Sequence, residues 1–383
     1  MTKALINADI LGWALQRADL PSAALAQKVH VRPDLVSEWL NGSAKPSFAQ
    51  ARRAAAVLGI PFGYLYLQRP PADELPLPDL RTVGGERPTP DINLRSLLSD
   101  VLFKHDWYRE FLAASGGEEL PFVASFDLDA KPTAIAADIT RVVLGERGRP
   151  TTGSFEDYLQ RLMLSADEVG IWVMRTGIVG NNTHRPLAVS MFRGLALADP
   201  IAPLVLINGQ DSKSAQIFTL AHELAHIWLG ASGVSNVELG EKEYGVHRRI
   251  EILCNAVAAE FLTPEDEFSD SWHTNLAFAQ QVDLLSKRFK VSRVVIGRRA
   301  LDLGYLSHEE FSAFYQQERQ RWRDINRDSG GDFFATLPVR NGRKFTRAVL
   351  DEAMRGNLLL RNAGALLGVQ PAKLRKSYER LAS

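Results

Sequence analysis

The sequence has few of the features that indicate an exported or membrane-embedded protein. Cys254 is the only cysteine among 383 residues, which excludes a disulfide bond within the chain and is typical of a reducing compartment. A transmembrane helix would require a run of about 18 apolar residues, and none occurs. The amino-terminal residues lack a charged start followed by an unbroken apolar stretch, so no signal peptide is expected. These absences predict a cytoplasmic protein.

The chain as a whole also has no excess of either charge, because 45 lysines and arginines balance 45 aspartates and glutamates. The distribution is nevertheless uneven. Residues 1–70 contain 8 basic and 4 acidic side chains, and residues 291–383 contain 17 and 10, which leaves a net charge of −11 on the residues between them. Basic ends suit contact with nucleic acid and an acidic centre does not, although chance variation in surface charge gives the same pattern.

Residues 1–68 contain short segments with apolar residues at helical spacing, separated by turn signals. Two of these segments cover residues 23–31 and 35–42, and small Ala26 would allow their helices to approach closely. This pattern resembles the Xre (lambda-repressor-like) helix-turn-helix family, which also has a Lys-x-Pro and a further helix where this chain has Lys45-Pro46 and residues 51–58. The resemblance implies an all-α, DNA-binding domain over residues 1–68.

In such a domain the start of the third helix enters the major groove, where side chains reach base edges. The candidates at that end of the helix are Arg32, Asp34, Ser37 and Glu38. Basic residues nearby would contact phosphates, which gives affinity without sequence choice; these candidates are Lys28, Lys45, Arg52 and Arg53. DNA is therefore an expected partner, and a palindromic operator would imply a homodimer. The alternative is a helical bundle used for dimerisation or partner docking.

The rest of the chain divides by composition. Residues 69–95 are rich in proline and charge, which predicts an extended linker. Residues 96–273 are predicted to form an α+β domain, with helices near 95–114, 131–144, 155–167, 212–229 and 248–262 and strands at 170–174, 187–192 and 203–207. Residues 274–383 are predicted to be a helical region with helix-turn-helix-like segments near 284–303 and 363–381. The predicted fold class is therefore mainly α and multi-domain.

The helix predicted at 212–229 carries the most informative motif, His222-Glu223-x-x-His226. Two histidines four residues apart lie on one face of a helix, about 5–6 Å apart, which suits a shared zinc ion. Glu223 is placed to take a proton from a zinc-bound water. A random match in a chain of this length is rare, and the alternative is two surface histidines on a helix.

The next predicted helix supplies a third ligand. Glu251 would complete a two-histidine, one-carboxylate zinc site, and Asn255, one turn further on, could orient a ligand. The other candidates for the third ligand are Cys254, Glu241, Glu243 and His247. The residue that would stabilise an oxyanion stays open among Tyr244, His247, His184 and His273. A strand is also predicted at 187–192, and its residues 188–192 could pair with an extended substrate.

At this point the chain closely resembles the ImmA/IrrE family of zinc metallopeptidases, in the branch with a fused Xre domain. The matching stretches are residues 78–82, 192–200, the His222–His226 helix, residues 251–260 and residues 330–333. The resemblance implies a zincin-like central domain in which His222, His226 and Glu251 bind Zn²⁺ and Glu223 is the general base. It also implies cleavage of a repressor-like protein, or an antitoxin-like role beside a toxin gene.

Two functions follow from these patterns. The first is a DNA-binding transcriptional regulator fused to a zinc-dependent endopeptidase of the gluzincin type, which cleaves or regulates a protein partner. The second is a non-proteolytic antitoxin or repressor that binds its operator and a cognate toxin. The carboxyl-terminal residues 340–383 are strongly basic, which a second DNA contact, an acidic partner or a solvated helix face would explain equally well.

Overall fold

A computed structural model of the chain describes residues 2–18, 20–71, 77, 90–149, 152–235, 248–273, 275–323 and 333–382. The chain divides into two compact units. The first comprises Met1–Pro76 and Thr89–Asp100, and the second comprises Leu77–Pro88 and Val101–Ser383. Among the described residues, no helix combines the length and the apolar character needed to cross a membrane.

The first unit is built from short helices: α1 (Ala8–Arg17), α2 (Ser22–Val29), α3 (Pro33–Leu40), α4 (Phe48–Val57) and a 3-10 turn at Phe62–Tyr66. Local signals explain several of the ends. Asn7 accepts from the Asp9 amide at the start of α1, and Ser47 forms a capping box with Gln50 at the start of α4. The predicted core residues Leu25 and Val36 are fully buried.

Trp39 also belongs to this core, with an exposed fraction of 1%. The described part of the unit contains helices and an isolated bridge between Lys3 and Ser47. It is therefore the all-α domain that the sequence predicts.

The second unit contains the remaining helices and the strands. Helix α5 (Ile92–Ala114) begins in the first unit and continues into the second, where it is followed by α6 (Pro132–Ile139), a π turn at Thr140–Leu144 and α7 (Phe155–Glu168). The strands are β1 (Trp172–Thr176), β2 (Ile178–Val179), β3 (Asn182–Pro186), β4 (Gly194–Leu197), β5 (Leu204–Asn208) and β6 (Gly233–Ser235). The later helices are α8 (Lys213–Trp228), α9 (Arg248–Leu262), α10 (Glu265–Asp270), α11 (Phe278–Phe289), α12 (Arg293–Asp302), α13 (His308–Arg323), α14 (Phe333–Asn341), α15 (Arg343–Arg355), α16 (Leu360–Leu367) and α17 (Leu374–Ala382).

The four-stranded sheet has the order β1-β5-β4-β6. Strand β1 is parallel to β5, with Trp172 opposite Leu204, and β4 is antiparallel to both β5 and β6. Every residue of β5 is buried, as expected for a strand covered on both faces. Helix α8 packs on β4 and β5, so the sheet supports the helix that carries the histidines.

The prediction of a strand at 187–192 is wrong. Residues 188–192 form a turn, closed by bonds from the amides of Met191 and Phe192 to the Ala188 carbonyl. The buried Asn208 amide donates to the carbonyls of Leu187 and Phe192. These carbonyls are therefore satisfied by a side chain, and the neighbouring strand begins only at Gly194.

The predicted linker at 69–95 falls mostly outside the described residues. Its last residues belong to α5, which begins at Ile92 because the Asp91 side chain accepts from the Leu94 amide at 2.7 Å.

The carboxyl-terminal helices are fixed to the sheet through Asn341. The Lys104 ammonium donates to the side-chain oxygen of Asn341 at 3.0 Å. The side-chain nitrogen of Asn341 donates to the Leu367 carbonyl at 3.3 Å. The Trp172 indole donates to the Asn341 carbonyl at 2.6 Å and stacks on Phe345. Helices α14–α17 therefore attach to the β1 side of the sheet. The chain is mainly α, with an all-α amino-terminal unit, a central α+β region and a helical carboxyl-terminal region.

Candidate metal centre

Helix α8 runs through the interior of the second unit. It begins after Ser212, whose hydroxyl accepts from the Ala215 amide, and it ends before Gly230, which has a φ of 67°. Every residue from Gln216 to Trp228 is buried. Because the helix is covered on all sides, the imidazoles of His222 and His226 lie in a site shielded from water, with exposed fractions of 0% and 1%.

Helix α9 brings a carboxylate to these imidazoles. Nε2 of His222 and Nε2 of His226 lie 3.0 Å apart. The Glu251 carboxylate lies 3.3 Å from the first nitrogen and 3.2 Å from the second. Small residues allow the two helices to approach, since Ala221, Ala225 and Ala258 are fully buried in the core they share. The structure thus gathers the three residues predicted as ligands.

Asn255 lies behind His222, as its position one turn after Glu251 suggests. Its side-chain oxygen is 3.1 Å from Nδ1 of His222. This bond assigns the proton to Nδ1, so that Nε2 presents its lone pair toward Glu251 and His226. An amide in this place fixes both the ring orientation and the tautomer of a metal-binding histidine.

Glu223 is fully buried, and its two carboxylate oxygens have different surroundings. Oε1 accepts a hydrogen bond from the Ser235 hydroxyl at the end of β6, whereas Oε2 has no hydrogen-bond partner. Burial raises the pKa of Glu223, and His226 and His222 offset that rise only in part. The carboxylate therefore has one fixed oxygen and one oxygen available to a proton.

Gly194 on β4 makes room for this carboxylate. A Cβ at Gly194 would lie 2.1 Å from Oε1 of Glu223 and 2.6 Å from Cγ2 of Thr219. Neither Ser235 nor Gly194 was predicted to belong to the site. The segment Gly233–Ser235 is too short to carry a pattern, and only the resemblance over residues 192–200 included Gly194.

The donor set fits a small divalent cation. Burial alone would raise the pKa of Glu251, but His222 and His226 hold that pKa well below its usual range. Oε1 of Glu251 lies 3.2 Å from Nε2 of His226 but receives no hydrogen bond, which is costly for a buried carboxylate. A tetrahedral ion with bonds of about 2.1 Å separates its ligand atoms by about 3.4 Å, close to the spacings found between these donors. A cation would compensate the buried negative charge and would give Oε1 of Glu251 a partner.

The other candidate ligands lie elsewhere. Cys254 is buried beside His226 but outside the group that could hold a metal ion, and burial raises the pKa of its thiol. His184 is exposed on β3, and His273 is exposed after α10. The candidates that fall outside the described residues are Glu241, Glu243, Tyr244 and His247.

Most residues predicted to contact DNA lie on the surface of the first unit. Arg32, Asp34 and Ser37 are exposed at the start of α3, with Lys28 exposed at the end of α2. Arg52 and Arg53 are exposed on α4, and Arg53 donates to the Val29 carbonyl. Lys45 is half-buried, because its ammonium donates to the Ile6 carbonyl at 3.3 Å. Its charge therefore holds the amino-terminal segment in this structure.

Comparison with known families gives three matches. Residues 166–301 match the model of the IrrE N-terminal-like domain (Peptidase_M78), and residues 11–65 match the model of a helix-turn-helix domain (HTH_3). Residues 341–380 match a domain of unknown function (DUF8813). No curated protein matches the chain.

The first two matches cover the structural features described above. The helix-turn-helix match begins within α1 and continues through α4, and the IrrE-like match includes α8, α9 and the sheet. They correspond to a DNA-binding regulator that carries a protease-like domain, as the resemblance predicted. The three residues that could hold a metal ion lie within that domain.

Proposed function

Because the chain matches an ImmA/IrrE-type protein with an N-terminal helix-turn-helix domain, we propose that it is a transcriptional regulator whose central domain is a zinc-dependent endopeptidase acting on a protein partner. The observation that carries this proposal is the buried group of two imidazoles and one carboxylate next to Glu223, whose Oε2 has no partner. A structural zinc site requires neither a neighbouring carboxylate nor an open coordination position.

In this proposal His222, His226 and Glu251 hold the zinc ion, and Asn255 keeps His222 in the required tautomer. When bound, zinc supplies a Lewis acid that makes water a nucleophile near neutral pH. Oε2 of Glu223 would accept a proton from the attacking water and would deliver it to the leaving amine. Ser235 donates to Oε1, and this bond would keep the carboxylate from rotating between the two transfers.

Metal content tests the ligand assignment. The purified wild-type chain is expected to contain about one zinc ion per molecule by inductively coupled plasma mass spectrometry. Glu251→Ala should lower that content strongly, whereas Glu309→Gln on the exposed surface of α13 should not change it. Unchanged zinc in Glu251→Ala would move the third ligand to Cys254 or to residues 238–247.

Co-expression tests the reaction. The chain is expressed with the product of its neighbouring gene, once as wild type and once as Glu223→Gln, and the length of that product is measured by mass spectrometry. Cleavage by the wild type alone would support the endopeptidase with Glu223 as base. Equal cleavage by both would show that the assigned base is wrong.

A neighbour that stays intact and binds both versions would replace the endopeptidase with the second function, an antitoxin or repressor that binds a cognate toxin without cutting it. The fused helix-turn-helix domain is the observation that favours this alternative, because a free protease needs no operator. In either case the regulator acts at an operator, and a palindromic operator would be bound by two copies of the chain.

A further inference from the structure

The segment that joins α16 to α17 repeats the backbone of the segment that joins α2 to α3. Both first helices are eight residues long and end in a left-handed residue, His30 with φ 60° and ψ 51° and Gly368 with φ 66° and ψ 29°. A valine follows in each case. The next residue is extended, Arg32 with φ −70° and ψ 144° and Gln370 with φ −65° and ψ 138°.

The hydrogen bonds of the two turns also correspond. The Val31 amide donates to the Ala26 carbonyl at 2.9 Å, and the Val369 amide donates to the Gly364 carbonyl at 2.9 Å. The helix-turn-helix requires a small residue where its two helices approach. A Cβ at Gly364 would lie only 2.7 Å from the Val369 carbonyl oxygen, so this requirement is met by glycine in the second turn and by Ala26 in the first.

Corresponding positions of the two second helices carry different charges. Ser37 lies six residues after Val31, and Arg375 lies six residues after Val369. Glu38 and Lys376 occupy the next position of each helix. Arg375, Lys376 and Arg380 are exposed on α17, and Lys373 is exposed in the 3-10 turn Pro371–Lys373 that precedes it, whereas the opposite side of α17 is buried at Leu374 and Ser377. The exposed face of α17 is therefore basic where the face of α3 carries an acidic residue.

Helix α17 is held in position by a packed scaffold. Leu374 is fully buried, and α17 packs on α15 and α16. The apolar residues buried in these helices include Phe345, Val349, Leu350, Ala363, Leu366 and Leu367. Asn341 and Trp172 fix the group to the sheet. A basic helix on a rigid support, placed by a helix-turn-helix backbone, is the arrangement that enters a DNA major groove.

We propose that α15–α17 form a second DNA-binding element, in which α17 lies in a major groove with Arg375 and Lys376 toward the bases and Lys373 and Arg380 toward phosphates. DNA is favoured over an acidic protein because the turn of the segment that matches a helix-turn-helix family is here combined with an exposed, basic second helix. The proposal assigns a ligand to the region that matches a domain of unknown function, and it does not depend on the peptidase.

The test measures binding of the full-length chain to a fluorescent duplex of about 30 base pairs of random sequence, by anisotropy at several salt concentrations. The test variant combines Arg375→Gln with Lys376→Gln. The matched control combines Lys287→Gln with Arg319→Gln, which removes the same charge from exposed positions on α11 and α13. The test variant is expected to bind about tenfold more weakly, and the salt dependence should fall by up to about two ion equivalents. The control should stay within about twofold of the wild type.

Hydrogen exchange gives a second readout that does not depend on the variants. Amides of residues 374–382 in the wild-type chain should exchange more slowly when the duplex is present. Equal DNA affinity in the test and control variants, without protection of α17, would overturn the proposal. Loss of binding to fluorescent poly-glutamate in the test variant alone, with DNA binding unchanged, would overturn it in favour of an acidic protein partner. Because each variant is compared with its matched control, the contribution of the amino-terminal domain cancels.

Discussion

The turn that joins α2 to α3 and α16 to α17 occurs a third time between α11 and α12. The α11–α12 and α16–α17 copies have different roles. Lys290 ends α11 in the left-handed region with φ 57° and ψ 35°, much as Gly368 ends α16. Val291 and then Ser292, which is extended with φ −69° and ψ 156°, follow in the same order as Val369 and Gln370. The local backbone is therefore nearly the same in both segments.

The difference lies in the second helix of each copy. Helix α12 buries Val294, Val295 and Ile296, the last two within the large core of the second unit. Helix α17 buries Leu374 and Ser377 and exposes its basic residues. The comparison teaches that the turn alone does not decide the role of the second helix. The residues on the second helix decide whether that helix fills a core or faces a ligand.

The largest expected loss of stability follows from replacing the buried basic residue of α12. Arg299 pairs with Glu260 of α9, and both side chains are mostly buried. Arg299→Met would leave the Glu260 carboxylate without its cationic partner, and we expect a loss of about 3–5 kcal/mol of stability. Thermal unfolding and hydrogen exchange of peptides from α9 and α12 would measure it. Arg298→Met, which breaks only the more exposed pair with Asp302, should cost about 0.5 kcal/mol or less. Equal effects would contradict the core role of α12.

The second prediction concerns the close approach inside the α16–α17 turn. Gly364→Leu would force a side chain against the Val369 carbonyl and Pro371, and we expect a loss of about 2–3 kcal/mol in the local stability of α15–α17. Hydrogen exchange of peptides from these helices is the measurement. Ala365→Leu, at the exposed neighbouring position, is the control and should change little. An unchanged exchange rate in Gly364→Leu would show that the turn is looser than its backbone indicates.

Ser286 in α11 occupies the position that Gly364 has in α16. Its substitution should reduce stability by less. Its hydroxyl donates to the Val291 carbonyl at 2.6 Å, and both residues are buried. Ser286→Ala would keep the small side chain but leave that carbonyl without the hydroxyl, so we expect a loss of about 1–2 kcal/mol. Chemical denaturation checks this value against Lys287→Ala at the exposed neighbouring site. If Ser286→Ala left the stability unchanged, another donor would have to bind the Val291 carbonyl.

The smallest expected effect on stability belongs to α17. Arg375→Gln together with Lys376→Gln should change the free energy of unfolding by about 0.5 kcal/mol or less, because both side chains are exposed. Thermal unfolding of the DNA-free chain measures this. The difference between this small change and the large loss expected for Arg299→Met is the clearest test of the different roles of α17 and α12. A large loss of stability in the α17 variant would mean that its basic residues also serve the core.

Much of the fold follows from signals that act locally. The ends of α8 were predictable because Ser212 caps its start and Gly230 follows its end. Helix α9 was predictable from its apolar and small residues, and its observed limits are those of the prediction. The turn at 188–192 was not predictable. It is stabilised by the buried Asn208 side-chain amide, which donates to the carbonyls of Leu187 and Phe192. That bond joins residues far apart in the sequence, and no local pattern records it.

The candidate site shows the same division. Helical spacing places His222 near His226 and Glu251 near Asn255, so each half of the site could be read along one helix. The Ser235 hydroxyl and the space at Gly194 come from two strands that meet α8 only in the folded chain. Their contribution depends on sheet order, which the sequence does not display.

The bond between Trp172 and Asn341 offers a way to watch the carboxyl-terminal helices directly. The indole N–H reaches the Asn341 carbonyl, at the end of α14, from the strand at the end of the sheet, so this proton has its partner only while α14 stays attached. Its nuclear magnetic resonance signal would therefore act as a built-in reporter. A ligand that pulls on α17 hard enough to loosen the attachment would shift or broaden that one resonance, without any label placed on the helices themselves.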